Sequence, residues 1–544
     1  MKNQLTAKVK SISGSRGVAF AFLIVIGLIQ AVMTVLFALS VKILINNAEY
    51  NNGVDKIISS AVLLIVCVAV IFILSVIYRL LLAKCQTNVE TNIKKKVFSS
   101  FIKGDYKTLS NTKTGDLLSR LSSDVHTVST VHVALIPSLV ATVAQLLAII
   151  VALYILQPIF TLLVVGAGVL VFLITYLIRK ITAKLHKKVR VKEGEVNNVF
   201  SESSQNILTI KGYNAEDYIS NKANYELNLL KKFKLNQRYF SSFVTSLNGV
   251  MFTAFYVVTV IWGGFSIING VNGMDFGVVV AMLQLILQIK SPLSSISSYV
   301  TAQAEMQVSF ERLLEVIPID NESEKQPLEN NNFSKLEFDG VTFSYGDDAV
   351  INNSSFTINK GDKVLIKGQS GIGKSTTIKL IMGLYSPSQG KICLDGQDIK
   401  RLKGVFSLVP QGNTLFSGSI KSNLIFNANT CSDSDIQTAL KIACIDEFIS
   451  ELPNGLDTIV GERGVNLSEG QAQRLAIARS IIAKTPIIVF DEATSALDEK
   501  TESLIIENIS KLNFVTLIAV SHKTEIQKIC NKVLTIENGK ILQE

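Results

Sequence analysis

Closely spaced cysteines and histidines are missing from this 544-residue chain. Its six cysteines are scattered without a Cys-x-x-Cys pair, and its four histidines are equally dispersed. This distribution argues against a zinc site and against a disulfide framework. Charge is also scarce: 18% of the residues are charged and 48% are hydrophobic, which is unusual for a soluble enzyme.

The apolar residues form long runs in the first 310 or so positions. A spanning helix needs about 20 consecutive apolar residues. Val18–Ile45, interrupted only by Gln30 and Lys42, supplies one span, and the uncharged run Ile57–Tyr78 supplies a second. Val133–Ile178 also lacks charge and is long enough for two spans. We therefore predict four spans in this part, the third and fourth meeting at residues 157–158.

The next apolar region predicts a fifth and a sixth span. Between Arg238 and Lys290 the only charged residue is Asp275, which sits beside the Gly- and Asn-rich break Asn269–Gly273. We expect Asp275 at the outer edge of the bilayer. Acidic residues are otherwise missing from the predicted spans, which argues against proton coupling and against a carboxylate pocket for cations.

Basic residues cluster in alternate connections, all on one side of the predicted spans. They are Lys2, Lys8, Lys10 and Arg16 before the first span; Lys94, Lys95, Lys96, Lys103, Lys107 and Arg120 between the second and third; and Lys184, Lys187, Lys188, Arg190, Lys231, Lys232 and Lys234 between the fourth and fifth. The remaining connections are short and nearly free of Lys and Arg. Positive charge marks the cytoplasmic side, so we expect both termini in the cytoplasm. The net charge of +9 fits this placement better than nucleic-acid binding.

The two long cytoplasmic connections lack clusters of helix-breaking residues. We expect them to continue the membrane helices inward by about 25 residues per arm, roughly 35 Å at 1.5 Å per residue; solvated charged linkers are the alternative. The polar stretch Pro318–Pro327 and Asn330–Asn332 then predicts a linker. We divide the chain into a membrane domain (residues 1–316), a linker (317–334) and an α/β domain (335–544).

A phosphate-binding loop is the strongest motif in the α/β domain. It fits G-x4-G-K-S and reads Gly368, Gln369, Ser370, Gly371, Ile372, Gly373, Lys374, Ser375, followed by Thr376. The strand-like run Lys363–Lys367 precedes it and the helix-like run Thr376–Met382 follows it, which is the context that the motif requires. Lys374 is expected to reach the terminal phosphates and Ser375 to coordinate Mg²⁺.

Two further apolar runs end in polar residues suited to phosphate chemistry. Ile487–Asp491 ends in a carboxylate expected to hold magnesium, and Glu492 follows as candidate general base. Phe514–Val520 ends in Ser521 and then His522. If this second strand runs parallel to the first, His522 can bond the γ-phosphate or orient the attacking water.

A third motif completes a family resemblance. Leu467–Gln471 precedes Arg474–Arg479, where we expect a helix to start, so that Ser468, Gly470 and Gln471 meet phosphate at its positive end. With these motifs the carboxy-terminal domain resembles the ATPase of ABC transporters. Six spans ahead of it resemble an exporter-type half-transporter, and the resemblance covers nearly the whole chain.

The resemblance implies further roles. Tyr345 corresponds to the aromatic that stacks on adenine, Gln411 to the glutamine that contacts magnesium and water, and Asp498 to the end of the loop that joins two ATP sites. Gly461–Gly464 resembles an exporter segment near the intracellular loops. In the membrane domain, Gly115–Arg120 with Asp124, and Ile210–Glu216, resemble the regions around two coupling helices.

In this family the segment that corresponds to Leu467–Gln471, called the signature, closes over ATP held by the other subunit. One set of motifs per chain therefore implies a dimer of half-transporters that uses ATP and Mg²⁺, with an identical chain as the expected partner. No protease domain precedes the first span, so we expect a cargo that needs no leader cleavage by this chain.

Two residues and the length of one stretch depart from the family pattern. Glu469 stands where the signature usually has Gly, and Lys523 stands where Arg often follows the histidine. The stretch from Asp395 to Gln411 is short for an exporter. We expect activity to survive, although a carboxylate near ATP could slow it.

Three polar residues of the sixth span are candidates for lining a substrate cavity: Gln284, Gln288 and Lys290. A polar contact between helices explains the two glutamines equally well. The leading hypothesis is ATP-driven export or flipping of a lipid, drug or peptide. A nucleotide-gated channel, a regulatory ABC protein, and an ABC-type ATPase acting on DNA or ribosomes are the alternatives.

Overall fold

The computed structural model describes residues 17–110, 114–271, 273–315, 326–327, 333–346, 349–412, 414–426, 431–461, 466–512 and 515–544. It divides into two compact units. The first comprises Met1–Ser100 and Thr114–Ile317, and the second comprises Phe101–Lys113 and Pro318–Glu544. The predicted linker and the segment Gly461–Gly464 lie largely outside the described residues.

Long helices make up the first unit. In chain order, with the short α3 of the second unit included, they are α1 (Gly17–Glu49), α2 (Val54–Lys103), α3 (Tyr106–Ser110), α4 (Thr114–Ser119), α5 (Val125–Leu156), α6 (Pro158–Gln205), α7 (Ile207–Gly212), α8 (Glu216–Ile268) and α9 (Phe276–Leu314). With 50, 48 and 53 residues, α2, α6 and α8 are each over 70 Å long at about 1.5 Å per residue. A bilayer core is about 30 Å thick, so each of these helices is longer than one span requires. That their extra length forms cytoplasmic extensions stays a prediction.

Five helical segments of the described part are long and apolar enough to cross a membrane: Gly17–Glu49, Val54–Lys103, Gly115–Leu156, Glu216–Ile268 and Phe276–Leu293. The predicted fourth span falls in α6, where several side chains between positions 167 and 183 lie outside the described residues. The count of six therefore stays a prediction. The predicted break at residues 157–158 is present, because α5 ends at Leu156 and α6 begins at Pro158.

The membrane unit buries little of its apolar surface. A core of fully buried side chains includes Leu153, Met282 and Leu285, and it joins α5 to α1 and α9. By contrast, α2 exposes apolar residues along much of its length, with Ile65 and Phe72 each about two-thirds exposed. Apolar surface of this extent is unusual on a water-soluble protein and is suited to lipid or to another subunit.

Asp275 caps α9 and joins it to α1. Its Oδ1 accepts a hydrogen bond from the backbone N–H of Val278 at 2.7 Å, and its Oδ2 accepts one from the Asn46 amide at 2.8 Å. The backbones approach closely here, because a Cβ added to Gly277 would lie 2.7 Å from the carbonyl oxygen of Lys42. The isolated carboxylate noted in the sequence therefore acts as a helix cap and as a link between two helices.

We expect Asp275→Ala to lower the free energy of unfolding by at least about 1 kcal/mol, the usual contribution of a helix cap. Thermal unfolding of the detergent-purified protein measures the change. Asp275→Asn keeps an oxygen for the cap and should be destabilised less than Asp275→Ala. Equal unfolding temperatures for Asp275→Ala and the wild type would contradict this account.

The second unit combines two larger sheets with several helices. Its strands are β1 (Gln326–Pro327), β2 (Lys335–Ser344), β3 (Ala349–Asn359), β4 (Lys363–Lys367), β5 (Gln389–Leu394), β6 (Gln397–Asp398), β7 (Leu402–Lys403), β8 (Phe406–Val409), β9 (Gly418–Ser419), β10 (Ile459–Val460), β11 (Ile487–Asp491), β12 (Thr516–Val520), β13 (Lys532–Glu537) and β14 (Lys540–Gln543). Its helices after α3 are α10 (Lys374–Ile381), α11 (Ile420–Leu424), α12 (Asp433–Ile442), α13 (Asp446–Glu451), α14 (Glu469–Ile482), α15 (Glu499–Ser510) and α16 (Thr524–Ile529).

The main sheet has six strands in the order β14-β13-β4-β12-β11-β8. Every pair in it is parallel except β13 with β14. The pairing aligns Asp491 with Val520, and Val520 with Ile366. The residues that follow β4, β11 and β12 therefore emerge at one edge of the sheet. The parallel pairing of β11 and β12 meets the condition that the predicted role of His522 required. A four-stranded antiparallel sheet, β3-β2-β5-β6, carries Tyr345 just after β2.

Candidate ATP-binding site

The phosphate loop joins β4 to α10 in a conformation that needs glycine. Gly368, Gly371 and Gly373 have φ angles of 153°, 80° and 118°, a region that L residues with side chains rarely adopt. A Cβ on Gly373 would also lie 3.0 Å from the Val350 side chain. Because α10 begins at Lys374, its free N–H groups and its positive dipole end are at the loop.

Lys374 lies within the loop and is 8% exposed. Its ammonium donates to the carbonyl oxygens of Gly368 (2.8 Å) and Gln369 (3.1 Å). It also lies 3.3 Å from Nε2 of His522, and since a lysine can only donate, the histidine accepts at that nitrogen. The structure thus brings the predicted phosphate-binding lysine together with the histidine 148 residues away in the chain.

Asp491 and Glu492 lie at the same edge of the sheet. Burial raises the pKa of the Asp491 carboxyl, and the negative charge of Glu492 raises it further, while Lys379, Lys374 and the Ser375 hydroxyl act in the opposite direction. A cation between Asp491 and Ser375 would relieve this concentration of negative charge, and carboxylate and hydroxyl oxygens suit Mg²⁺. The residues present therefore fit the metal that the sequence implied.

Glu492 is held in an unusual backbone conformation. Its φ of 53° is left-handed, which costs a non-glycine residue roughly 1–2 kcal/mol. Its backbone N–H donates to the Val520 carbonyl at 3.0 Å, and its Oε2 accepts from the Gln411 amide at 2.6 Å. Strain of this kind is common at functional sites, and the carboxylate of this residue is bound to Gln411.

Tyr345 lies beside the helix that follows the phosphate loop. Its hydroxyl is 3.1 Å from that of Thr376, and its ring packs edge-to-face against Phe343 and Tyr385. The side chain is still 53% exposed. An aromatic ring held on one edge and open on the other is suited to stacking on a planar base.

The helix at the signature segment begins closer to the N-terminus than predicted. The prediction that the helix starts at Arg474 is wrong, because α14 begins at Glu469. The Ser468 hydroxyl accepts from the N–H of Gln471 at 3.2 Å, and the Gln471 side chain accepts from the N–H of Ser468 at 2.8 Å. This capping box fixes the start and leaves Glu469 exposed in the first turn.

Gly470 makes a close contact that the motif did not indicate. A Cβ at this position would lie 3.0 Å from the carbonyl oxygen of Ala496, in the loop after β11. Asp498, also in that loop, caps α15 by accepting from the N–H of Thr501 at 3.0 Å. Within the described residues, no hydrogen bond or ion pair connects Ser468, Gly470, Gln471 or Asp498 to the phosphate loop of the same chain.

The three cavity candidates differ in their exposure. Gln284 and Gln288 are partly buried and Lys290 is exposed. The Oε1 atom of Gln288 is buried without a hydrogen-bond partner among the described residues. A cavity of about 20 Å³ nearby is apolar and is lined by Val164, Gly168, Phe252, Phe255, Ile286, Ile289 and Leu293, not by the candidates.

Comparison with known proteins assigns the family. Residues 17–293 match the ABC transporter transmembrane region, and residues 351–495 match the ABC transporter ATP-binding domain. The chain belongs to the ABC transporter family. Both regions occur in one chain, so it is an exporter-type half-transporter, a multi-pass membrane protein whose ATP-binding domain makes it an ATP-hydrolysing transporter.

The names of proteins similar to this ABC transporter refer to different substrates. The mitochondrial iron-sulfur clusters transporter ATM1 of Kluyveromyces lactis is 32% identical over 65% of this chain, and the match spans half of that relative's length. The ATP-dependent lipid A-core flippase of Desulfotalea psychrophila is 28% identical over 89% of this chain and 86% of its own length. A bacterial Atm1-family ABC exporter solved with ATP bound has the same fold, with a TM-score of 0.82, 23% identity, and coverage of 96% of this chain and 94% of that one.

We expect Gly470→Ala to slow ATP hydrolysis and to lower the unfolding temperature, because the added methyl group must displace the Ala496 carbonyl. Steady-state ATPase rates and thermal unfolding measure the two effects. Gly194→Ala, at a helical glycine where the new carbon would lie more than 4 Å from any neighbouring segment, should instead preserve or raise stability. Wild-type values for Gly470→Ala would show that the contact does not matter.

Proposed function

We propose that this chain works as a dimer of half-transporters that exports or flips a hydrophobic or amphipathic substrate, using energy from ATP. One observation carries the proposal. Five candidate residues meet at one edge of the sheet: Lys374, Asp491, Glu492, Gln411 and His522. The signature residues, by contrast, have no hydrogen bond to the phosphate loop within the described part of the chain. Each chain thus offers a catalytic half-site and, separately, a signature.

The proposed chemistry follows from the positions of the side chains. Glu492 acts as general base on the attacking water, and Gln411, hydrogen-bonded to it, helps to position that water. His522 contacts the γ-phosphate from beside Lys374. Ser375 and Asp491 would hold Mg²⁺, which would supply positive charge to the transferring phosphoryl group. Tyr345 stacks on adenine, and the residues from Gly368 to Thr376 bind the phosphates.

The second half of each site comes from the partner in this proposal. Ser468, Gly470 and Gln471 of one chain lie at the N-terminus of α14, where the helix dipole favours a phosphate. Asp498 closes the loop that connects the two sites. An identical chain is the partner we propose, since one chain contains both halves once.

The membrane side of the proposal rests on charge and composition. On the basis of the positive connections, we propose that both termini and the ATP-binding domain lie in the cytoplasm and that the spans lie in the cell membrane. Gln284, Gln288 and Lys290 are proposed to line the substrate path, because the buried, unpartnered Oε1 of Gln288 needs a polar ligand, water or subunit. The names of the relatives include a lipid flippase and an iron-sulfur transporter, so lipid, drug and peptide all remain to be tested.

Vesicle assays test the substrate class. The purified protein, reconstituted in lipid vesicles, should hydrolyse ATP faster when its cargo is added, and lipids, drugs and peptides can be compared in turn. Gln288→Leu should weaken this stimulation and leave the unstimulated rate unchanged. Steady ionic currents opened by ATP in the same vesicles, without accumulation of any cargo, would instead identify a gated channel.

Replacing the proposed base tests the hydrolysis mechanism. We expect Glu492→Gln to retain ATP binding and to lower turnover by at least about 100-fold, the usual contribution of a general base. Radiolabelled ATP binding and phosphate release measure the two properties. Glu507→Gln, an exposed glutamate paired with Lys511 in α15, is the matched control and should be normal. Unchanged hydrolysis by Glu492→Gln would rule out the assigned role.

Complementation tests the shared site. Chains carrying Ser468→Arg and chains carrying Lys374→Ala should each be inactive alone. When both are expressed together, mixed dimers contain one site with an intact phosphate loop and an intact signature, so ATPase activity should partly return. Full activity of Ser468→Arg by itself would mean that the signature does not complete the site.

A further inference from the structure

A buried carboxylate outside the phosphate-binding edge has no role in the mechanism above. Glu502 of α15 is 1% exposed, and both of its oxygens are engaged. Oε1 accepts from the Thr494 hydroxyl at 2.8 Å, and Oε2 forms an ion pair with the Lys523 ammonium at 3.0 Å. A charge this deeply buried is tolerated only when it is paired and hydrogen-bonded.

Lys523 uses its ammonium for more than this ion pair. It also donates to the carbonyl oxygens of Thr494 (2.7 Å) and Leu497 (3.0 Å), so all three of its N–H donors have partners. These carbonyls lie at either end of the short turn between β11 and α15. Because Lys523 directly follows His522, a single side chain connects the histidine segment to this turn.

The signature helix also holds this turn. Gln473 of α14 donates to the Ser495 hydroxyl at 3.0 Å and accepts from the N–H of Ala496 at 3.1 Å. Gly470 packs against the Ala496 carbonyl. The turn at residues 494–497 is therefore fixed between α14, which carries the signature, and the residues that follow β12.

We propose that Lys523 is a positioning residue for ATP hydrolysis. Its ammonium ties the backbone next to His522 to the turn at residues 494–497, so that the histidine and the turn hold one relative position, and Glu502 orients the ammonium. This inference rests on the proposed role of His522. Lys523, which stands where the family often has arginine, thus receives a function separate from nucleotide binding.

Lys523→Met tests the assignment, because methionine keeps much of the apolar stem and removes the ammonium. We expect kcat to fall about tenfold or more while the KM for ATP changes less than about twofold, as for the loss of an interaction that acts after binding. Lys523→Arg should recover most of kcat, because a guanidinium can donate to both carbonyls and to the carboxylate. Lys528→Met, an exposed lysine of α16 paired with Glu525, is the control and should have normal kcat and KM.

A double variant separates positioning from simple stabilisation. Lys523→Met combined with Glu502→Leu removes both buried charges, and such apolar replacements are often neutral for stability. We expect its unfolding temperature to recover toward the wild-type value while kcat stays low, since the carbonyls of Thr494 and Leu497 remain untethered. If Lys523→Met is too unstable to purify, this variant supplies the measurement.

Two outcomes would overturn the inference: a normal kcat for Lys523→Met, or recovery of both kcat and unfolding temperature in the double variant. Either result with an active wild type would leave the proposed transporter function intact. A wild-type protein that fails to hydrolyse ATP, or a Glu492→Gln variant that hydrolyses it normally, would instead count against the proposed function.

Discussion

The parallel pairing of β4, β12 and β11 is the constraint on which the ATP site depends. Parallel strands end at the same edge of a sheet, so residues more than 100 positions apart in the chain become neighbours there. Lys374 meets His522 in this way, and Asp491 meets Ser375. The strands themselves are almost fully buried, which keeps this edge in one register, because a slip would move apolar side chains out of the core.

The turn between β11 and α15 is the second point at which distant segments converge. Glu492 begins it in a left-handed conformation, and Asp498 ends it as a helix cap. Gln473 and Lys523 both bind backbone groups of the turn, so residues from two distant segments hold it in position.

The membrane unit follows different physics. Its helices satisfy their own backbone hydrogen bonds, which a lipid environment requires, and most of their apolar side chains stay on the outside. Specific packing occurs in buried clusters such as the one around Leu153 and Met282. It also occurs at the contact of α1 with α9, where Asp275 and Gly277 allow polar bonding and close approach. The second unit instead encloses its apolar side chains on both faces of the main sheet, as a domain surrounded by water must.

Local patterns in the sequence determined the long membrane helices, the break at Pro158, the phosphate loop and the strands that end in Asp491 and Val520. These features depend on residues close together in the chain: runs of apolar side chains, glycines at positive φ, and turn residues. The predicted start of α14 is wrong because the capping box at Ser468 outweighs the apolar pattern that begins later.

Only the tertiary structure decided the partners of Lys523, Gln473 and Gly470, and the hydrogen bond from Asn46 to Asp275. Glu502 lies on the same helical face as the buried Ile505, Ile506 and Ile509. The sequence pattern of this helix does not show which basic residue pairs with Glu502. The pairing depends on β12 lying next to β11 in the sheet, because β12 leads to Lys523. Strand order is a long-range property that no local pattern contains.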